Sequence, residues 1–166
     1  MLGLFLYVVA AWRWGDWRNW EKYQSTILYK IVGALLYEVL TYNYPLWEFR
    51  GSFLQSHTLV SLAITFIGFP CTVLIFLTFY PDSKIKQFFY LLFWVMLNSA
   101  MELFYHLIGL FKYDNGWNFW WSILFNCIMF PMLILHHKKP LMAYIISVPI
   151  VILILLFFNV PINKMK

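Results

Sequence analysis

Long apolar runs separated by short polar connections set the pattern of this chain. Five of them, Thr26 to Asn43, His57 to Tyr80, Phe88 to Phe111, Trp117 to Leu135 and Leu141 to Phe158, approach a spanning length. A helix rising about 1.5 Å per residue needs about 20 apolar residues to cross roughly 30 Å of hydrocarbon. A sixth, Met1 to Trp14, would extend about 21 Å as a helix, either a short span helped by snorkelling Arg13 and Arg18 or a partly inserted segment. Turn and stop residues punctuate the runs: Pro45, Pro81, Asp114-Asn115-Gly116, Pro140 and Pro161. The pattern predicts an all-α, polytopic transmembrane helix bundle of five long helices plus a short N-terminal one, in a single domain over residues 1–166.

Composition agrees. The chain is 63% hydrophobic and 11% charged, against about 45–50% and about 25% in soluble domains. The net charge of +5 comes from basic residues scattered between the apolar runs, which argues against a nucleic-acid surface and for topology signals. In the six-helix reading one side carries Arg13, Arg18, Lys22, Lys84, Lys86, Lys138 and Lys139; the other carries Arg50, Lys112, Lys164 and Lys166. The richer side is expected in the cytoplasm, with both termini outside and Lys30 snorkelling to the inner face. The stretch Trp12 to Tyr23 mixes indoles with charges, as the headgroup layer favours. A cleaved signal peptide is not expected, because the N-terminal run lacks a basic start and a small-residue cleavage site. Cys71 and Cys127 fall within spans and read as packing residues.

Ile67-Gly68-Phe69-Pro70 and Ile128-Met129-Phe130-Pro131 share the pattern I-x-F-P; Ser61 matches Ser122 at the same offset, and Glu38 and Glu102 precede them at comparable depth. The pattern suggests a duplicated helical hairpin, Thr26 to Tyr80 and Phe88 to Leu135, repeated about an axis along the membrane normal. Pro70 and Pro131 each remove a backbone hydrogen bond in mid-helix, so a kink is expected at both.

Asn98, Glu102 and His106, spaced i, i+4, i+8, fall within one stripe of a helix, and Glu38 is the other carboxylate inside a span. Ionisable groups within a bilayer normally face the bundle interior and mark functional sites. They are expected to line a polar cavity opening toward the outer face, with Asn126 or Tyr42 nearby, or else to form an interhelical hydrogen-bond network. No metal site is expected, since carboxylate-bridged helical sites use Glu-x-x-His whereas Glu102 and His106 are four apart. No cofactor motif is present. His136-His137 beside Lys138-Lys139 reads as a basic collar for lipid phosphates.

The run Trp14-Gly15-Asp16-Trp17-Arg18-Asn19-Trp20-Glu21-Lys22-Tyr23, then Leu40-Thr41-Tyr42-Asn43-Tyr44-Pro45-Leu46-Trp47-Glu48, His57-Thr58-Leu59, Phe69-Pro70-Cys71-Thr72 and Asn115-Gly116-Trp117-Asn118 through Phe130-Pro131 resembles a family of small multi-pass membrane proteins of Gram-positive endospore-forming bacteria. The resemblance covers nearly the whole chain. It implies a bacterial cell-membrane protein and transfers no activity or catalytic residue; the family often carries a smaller polar residue at the position of Glu38.

Three functions fit these observations. One is a non-enzymatic protein that binds a ligand or membrane lipid, or serves as a subunit of an envelope assembly. Another is a small transporter or channel, which with six helices requires homo-oligomerisation. The third is a membrane enzyme acting on a lipid or isoprenoid, with Glu102 as acid or base and His106 as its partner.

Overall fold

The computed structural model describes residues 2–50, 57–161 and 163. Helix α1 (Leu2–Trp14) leads through a short 3-10 turn into α2 (Glu21–Leu40), then strand β1 (Trp47–Phe49). Helix α3 (His57–Ala63), a π-helical turn (Ile64–Gly68) and α4 (Phe69–Thr78) follow without interruption. Then come α5 (Lys84–Leu107), strand β2 (Phe111–Tyr113), α6 (Phe119–Lys138) and α7 (Pro140–Phe157). The result is the expected all-α bundle. Helices satisfy every backbone group internally, as a hydrocarbon surround demands.

Four segments, Thr58–Thr78, Lys84–Leu107, Phe119–Lys138 and Pro140–Phe157, are long and apolar enough to cross a membrane. The chain is therefore an integral membrane protein by the length and composition of its helices. The fifth expected span, α2, has the length with 20 residues but carries Lys30 and Glu38 in its apolar stretch. It lies against α4 and α6, where Lys30 meets Phe69 and Met129, while Glu38 meets Ser61 of α3.

The core forms where α2, α4, α5 and α6 meet. Phe76 and Phe130 are completely buried with ring centroids 5.0 Å apart, and Trp94 meets Phe76 edge to face at 5.6 Å. Helix α1 closes onto α4 through Gly15. A Cβ there would stand 2.5 Å from the Ala11 carbonyl and 2.7 Å from Leu74, so no larger residue fits without displacement. Helix α7 packs on α6 and leaves most of its aliphatic surface outward.

The expected helix Phe88 to Phe111 stops at Leu107. Gly109 adopts φ +75°, and the Leu110 and Gly109 amides donate to the Tyr105 and His106 carbonyls. That pattern terminates a helix through a left-handed residue just past its end. The chain then turns back into β2, which pairs antiparallel with β1: Trp47 faces Tyr113, Glu48 faces Lys112 and Phe49 faces Phe111. Asn118 caps α6, its carbonyl oxygen accepting from the Trp120 and Trp121 amides.

The two-stranded sheet lies across one end of the bundle and is two-faced, because side chains alternate along a strand. Trp47, Phe49, Phe111 and Tyr113 share one face, where Trp47 packs on Trp117 at 4.6 Å and Phe49 on Phe111 at 5.1 Å. Glu48 and Lys112 take the other face, paired with Arg50 and Asp114 at 3.3 and 2.6 Å. At the opposite end the α1–α2, α4–α5 and α6–α7 connections come together: the Asp16 amide donates to Thr78, Tyr23 stacks on His137, and Lys138 lies over the Tyr80 ring. Arg50 and Lys112 thus sit at one end and the more basic connections at the other. Lys164 and Lys166 lie outside the described residues.

Pro70 and Pro131 are accommodated differently. The turn before Pro70 widens into the π segment Ile64–Gly68, which carries the missing hydrogen bond and the ring clash as extra backbone. Pro131 sits inside a continuous α6, and a third mid-helix proline, Pro149, sits inside α7. The two candidate repeats therefore share the order helix, strand, helix and differ at their I-x-F-P segments.

Candidate functional site

A cavity of about 700 Å³ runs along α2, within the range of about 300–1,000 Å³ typical of small-ligand sites. Its walls are mostly aliphatic and aromatic, contributed by every helix and by the sheet. Val32 and Leu36 of α2 and Val148 and Ile152 of α7 line it while remaining 42–59% exposed. The cavity therefore opens sideways between α2 and α7, midway along α7, where the surround of a spanning helix is hydrocarbon. The expected pocket is polar, whereas the walls of this cavity are largely apolar, with Glu38, Asn98 and Glu102 among them.

Glu38, Asn98 and Glu102 all line this cavity; His106 and Tyr42 do not. Glu38, exposed on α2, accepts a hydrogen bond from the Ser61 hydroxyl of α3. Glu102 of α5 accepts from the Tyr113 phenol at 2.7 Å, with Ser122 of α6 beside it. Each carboxylate is thus met by a serine of the next long segment, at the two positions that the sequence repeat matches. Asn98 donates to the Trp94 carbonyl of its own helix at 3.0 Å, and the adjacent Ser99 accepts from Asn126 of α6 at 3.4 Å.

His106 departs from its expected role. It is exposed, its Nδ1 donates to the Phe111 carbonyl at 3.0 Å, and its ring lies against Tyr113 at 4.6 Å. The cause is the chain reversal at Gly109, which swings β2 alongside the end of α5. The Tyr113 phenol, not the imidazole, then serves Glu102. Tyr113 itself is held above the usual phenol range, by burial first and by the neighbouring Glu102 carboxylate second.

His136 is also not where the collar reading puts it. It is buried, stacked on Tyr29 at 4.3 Å, with Nδ1 3.1 Å from the Thr26 hydroxyl, whereas His137 one position on is exposed. Successive helical residues diverge by about 100°, so one imidazole enters the α2 interface and the other leaves it. Among the described residues no three His, Cys, Asp or Glu side chains come together as metal ligands.

The residue that sequence reasoning missed is Lys30. Instead of snorkelling to the inner end, its side chain turns into the cavity, where the ammonium touches the Met129 sulfur and lies over the Phe69 ring at 4.5 Å. It stands at the middle of α2, nine residues after Glu21 and ten before Leu40. A lysine at the centre of a helix in a bilayer costs about 2.5–3.5 kcal/mol on insertion scales. Among the described residues no carboxylate lies within ion-pair distance of it, the two ion pairs being Arg50–Glu48 and Lys112–Asp114. A ring face and a thioether are weak partners for a cation. The single signal in the sequence was a lysine placed mid-helix, and its direction was not readable there.

No protein-family model, curated protein or solved structure matches the chain, so the geometry of the site carries the functional reading.

Proposed function

We propose that this chain is a non-enzymatic protein of a bacterial cell membrane that holds a lipid or lipid-like ligand in its interhelical cavity. The lateral opening between α2 and α7 carries the reading. Val32, Leu36, Val148 and Ile152 frame it with aliphatic groups, so a molecule already dissolved in the bilayer reaches the cavity without crossing water. The outer-end sheet closes the bundle with its aromatic face inward and its ion pairs outward, which directs access to the side. The bacterial assignment rests on the family resemblance. The more basic end, with Lys84, Lys86, Lys138 and Lys139, is the proposed cytoplasmic one.

Native mass spectrometry in mild detergent tests the proposal. Wild-type protein is expected to retain a bound lipid mass. Gly33 lines the cavity and a Cβ there meets nothing within 4 Å, so Gly33→Phe adds bulk at the cavity wall at a position with room for a side chain to start. The variant is expected to fold and to lose the retained mass. Equal retention by both proteins would place the lipid elsewhere, and a wild-type protein that carries and takes up no lipid would overturn the reading.

A further inference from the structure

Resting on the ligand-binding reading above, we propose that the occupant is an anionic amphiphile, a carboxylate or phosphate head joined to hydrocarbon, and that Lys30 with Tyr7 receives its charged oxygens. Of the charged groups that line the cavity, Lys30, Glu38 and Glu102 are not equivalent. Glu38 and Glu102 already accept hydrogen bonds from Ser61 and Tyr113. Among the described residues Lys30 meets no oxygen acceptor, only the Met129 sulfur and the ring faces of Phe69 and Phe125, at 4.5 and 6.0 Å. Arg50, the other cation at the cavity margin, is exposed and paired with Glu48.

A second and independent observation points the same way. Tyr7, on α1, is one of the residues lining the same cavity, and its hydroxyl is shut off from solvent with no hydrogen-bond partner among the described residues. Buried hydroxyls are nearly always paired, so an unpaired one on a cavity-lining residue is free to donate to an acceptor bound there. Two donors without oxygen acceptors among the described residues, one of them cationic, are complementary to an oxyanion. The two carboxylates stand toward the capped end, Glu38 about 12 Å along α2 from Lys30. Both already accept hydrogen bonds from protein donors, so that end offers an anionic head less than Lys30 does. The aliphatic walls contributed by α6 and α7 accommodate the hydrocarbon part, which leads out through the lateral opening.

The test uses the full chain in nanodiscs of neutral phosphatidylcholine, with a fluorescent fatty acid displaced by unlabelled probes. Palmitate and palmitoyl glycerol phosphate are compared with hexadecanol, which has the same chain and no charge. Wild-type protein is expected to bind the anionic probes about ten-fold or more tightly than the alcohol. Lys30→Met, close in length and apolar, is expected to fold and to erase that difference while leaving alcohol binding unchanged; Lys30→Arg is expected to preserve it. Tyr7→Phe is expected to weaken the anionic probes by a smaller factor. Selective loss for palmitate alone, or for the phosphate alone, in Lys30→Met identifies a fatty acid or a phospholipid as the source of the head group. If acid and alcohol bind wild-type protein equally, and Gly33→Phe blocks both, the cavity holds lipid but the charge assignment is overturned. If no probe binds, the ligand-binding reading falls and this one with it.

Discussion

Replacing Tyr37 by phenylalanine isolates the contact that ties α2 to the sheet. The ladder bonds of the strand pair run from the Asp114 amide to the Leu46 carbonyl and from the Arg50 amide to the Leu110 carbonyl, both 2.8 Å. In an antiparallel pair such bonds alternate, so the N–H and C=O of Trp47 point away from β2. The Tyr37 hydroxyl serves them: it donates to the Trp47 carbonyl at 2.7 Å and accepts from the Trp47 and Leu46 amides at 2.8 and 3.0 Å. Phenylalanine keeps the ring stacked on Trp47, now 3.9 Å between centroids and nearly parallel, and removes only the oxygen. Three backbone groups then lose their partner beside the fully buried Leu46. Each unsatisfied buried group costs about 1–3 kcal/mol, and partial access to water lowers the sum to about 2–4 kcal/mol. Unfolding of purified protein in mild detergent by denaturant, followed by tryptophan fluorescence, measures the loss, and hydrogen exchange at the Leu46 and Trp47 amides localises it. A change below about 0.5 kcal/mol with unaltered exchange at those amides would show that the hydroxyl does not hold the strand.

Other substitutions probe the remaining features. Gly15→Ala forces a methyl against the Ala11 carbonyl and Leu74 and is expected to destabilise by about 1–3 kcal/mol in thermal unfolding, with α1 detaching first by limited proteolysis. Gly33→Ala meets nothing within 4 Å and is expected to raise stability by up to about 1 kcal/mol through helix propensity; a loss would show that space to be filled by protein. Tyr113 is held protonated above the ordinary phenol range, so the unfolded chain loses that proton first. Its contribution to stability is therefore complete below pH about 10 and declines as pH rises further. Wild type is expected to lose more stability than Tyr113→Phe between neutral and strongly alkaline pH, and parallel curves would count against the assignment.

The helices were legible because hydrocarbon imposes a length and a composition on anything that crosses it. The α4–α5 and α6–α7 junctions fall where Pro81 and Pro140 predicted them. The end of α5 was misplaced at Phe111, because Ile108, Leu110 and Phe111 continue the apolar pattern while a single glycine reverses the chain. The strands were invisible for another reason. Three residues give no periodicity, and β1 and β2 are defined by each other across distant parts of the chain. Glu38, Asn98 and Glu102 were found from their cost in a membrane, and the structure brings them to one cavity. That criterion is silent about direction, so it did not find Tyr113 as the hydrogen-bond donor to Glu102, and it sent Lys30 toward water when its side chain turns inward.

The pairing of β1 with β2 also sets an order of events during synthesis. Strand β1 leaves the ribosome soon after α2, but its partner follows α5, so the ladder cannot close until three further apolar segments, α3, α4 and α5, have been made and placed. Until then the backbone groups of Glu48 have no strand beside them, and Tyr37 with the bonds of the turn itself holds the neighbouring residues. Contacts of this range form late because a long loop must close before any bond repays it. The cavity acquires its cap at the same moment, so an incompletely inserted chain presents an open and unsealed bundle to its surroundings. A quality-control protease that recognises exposed strand edges would therefore distinguish finished molecules from unfinished ones at Trp47–Phe49.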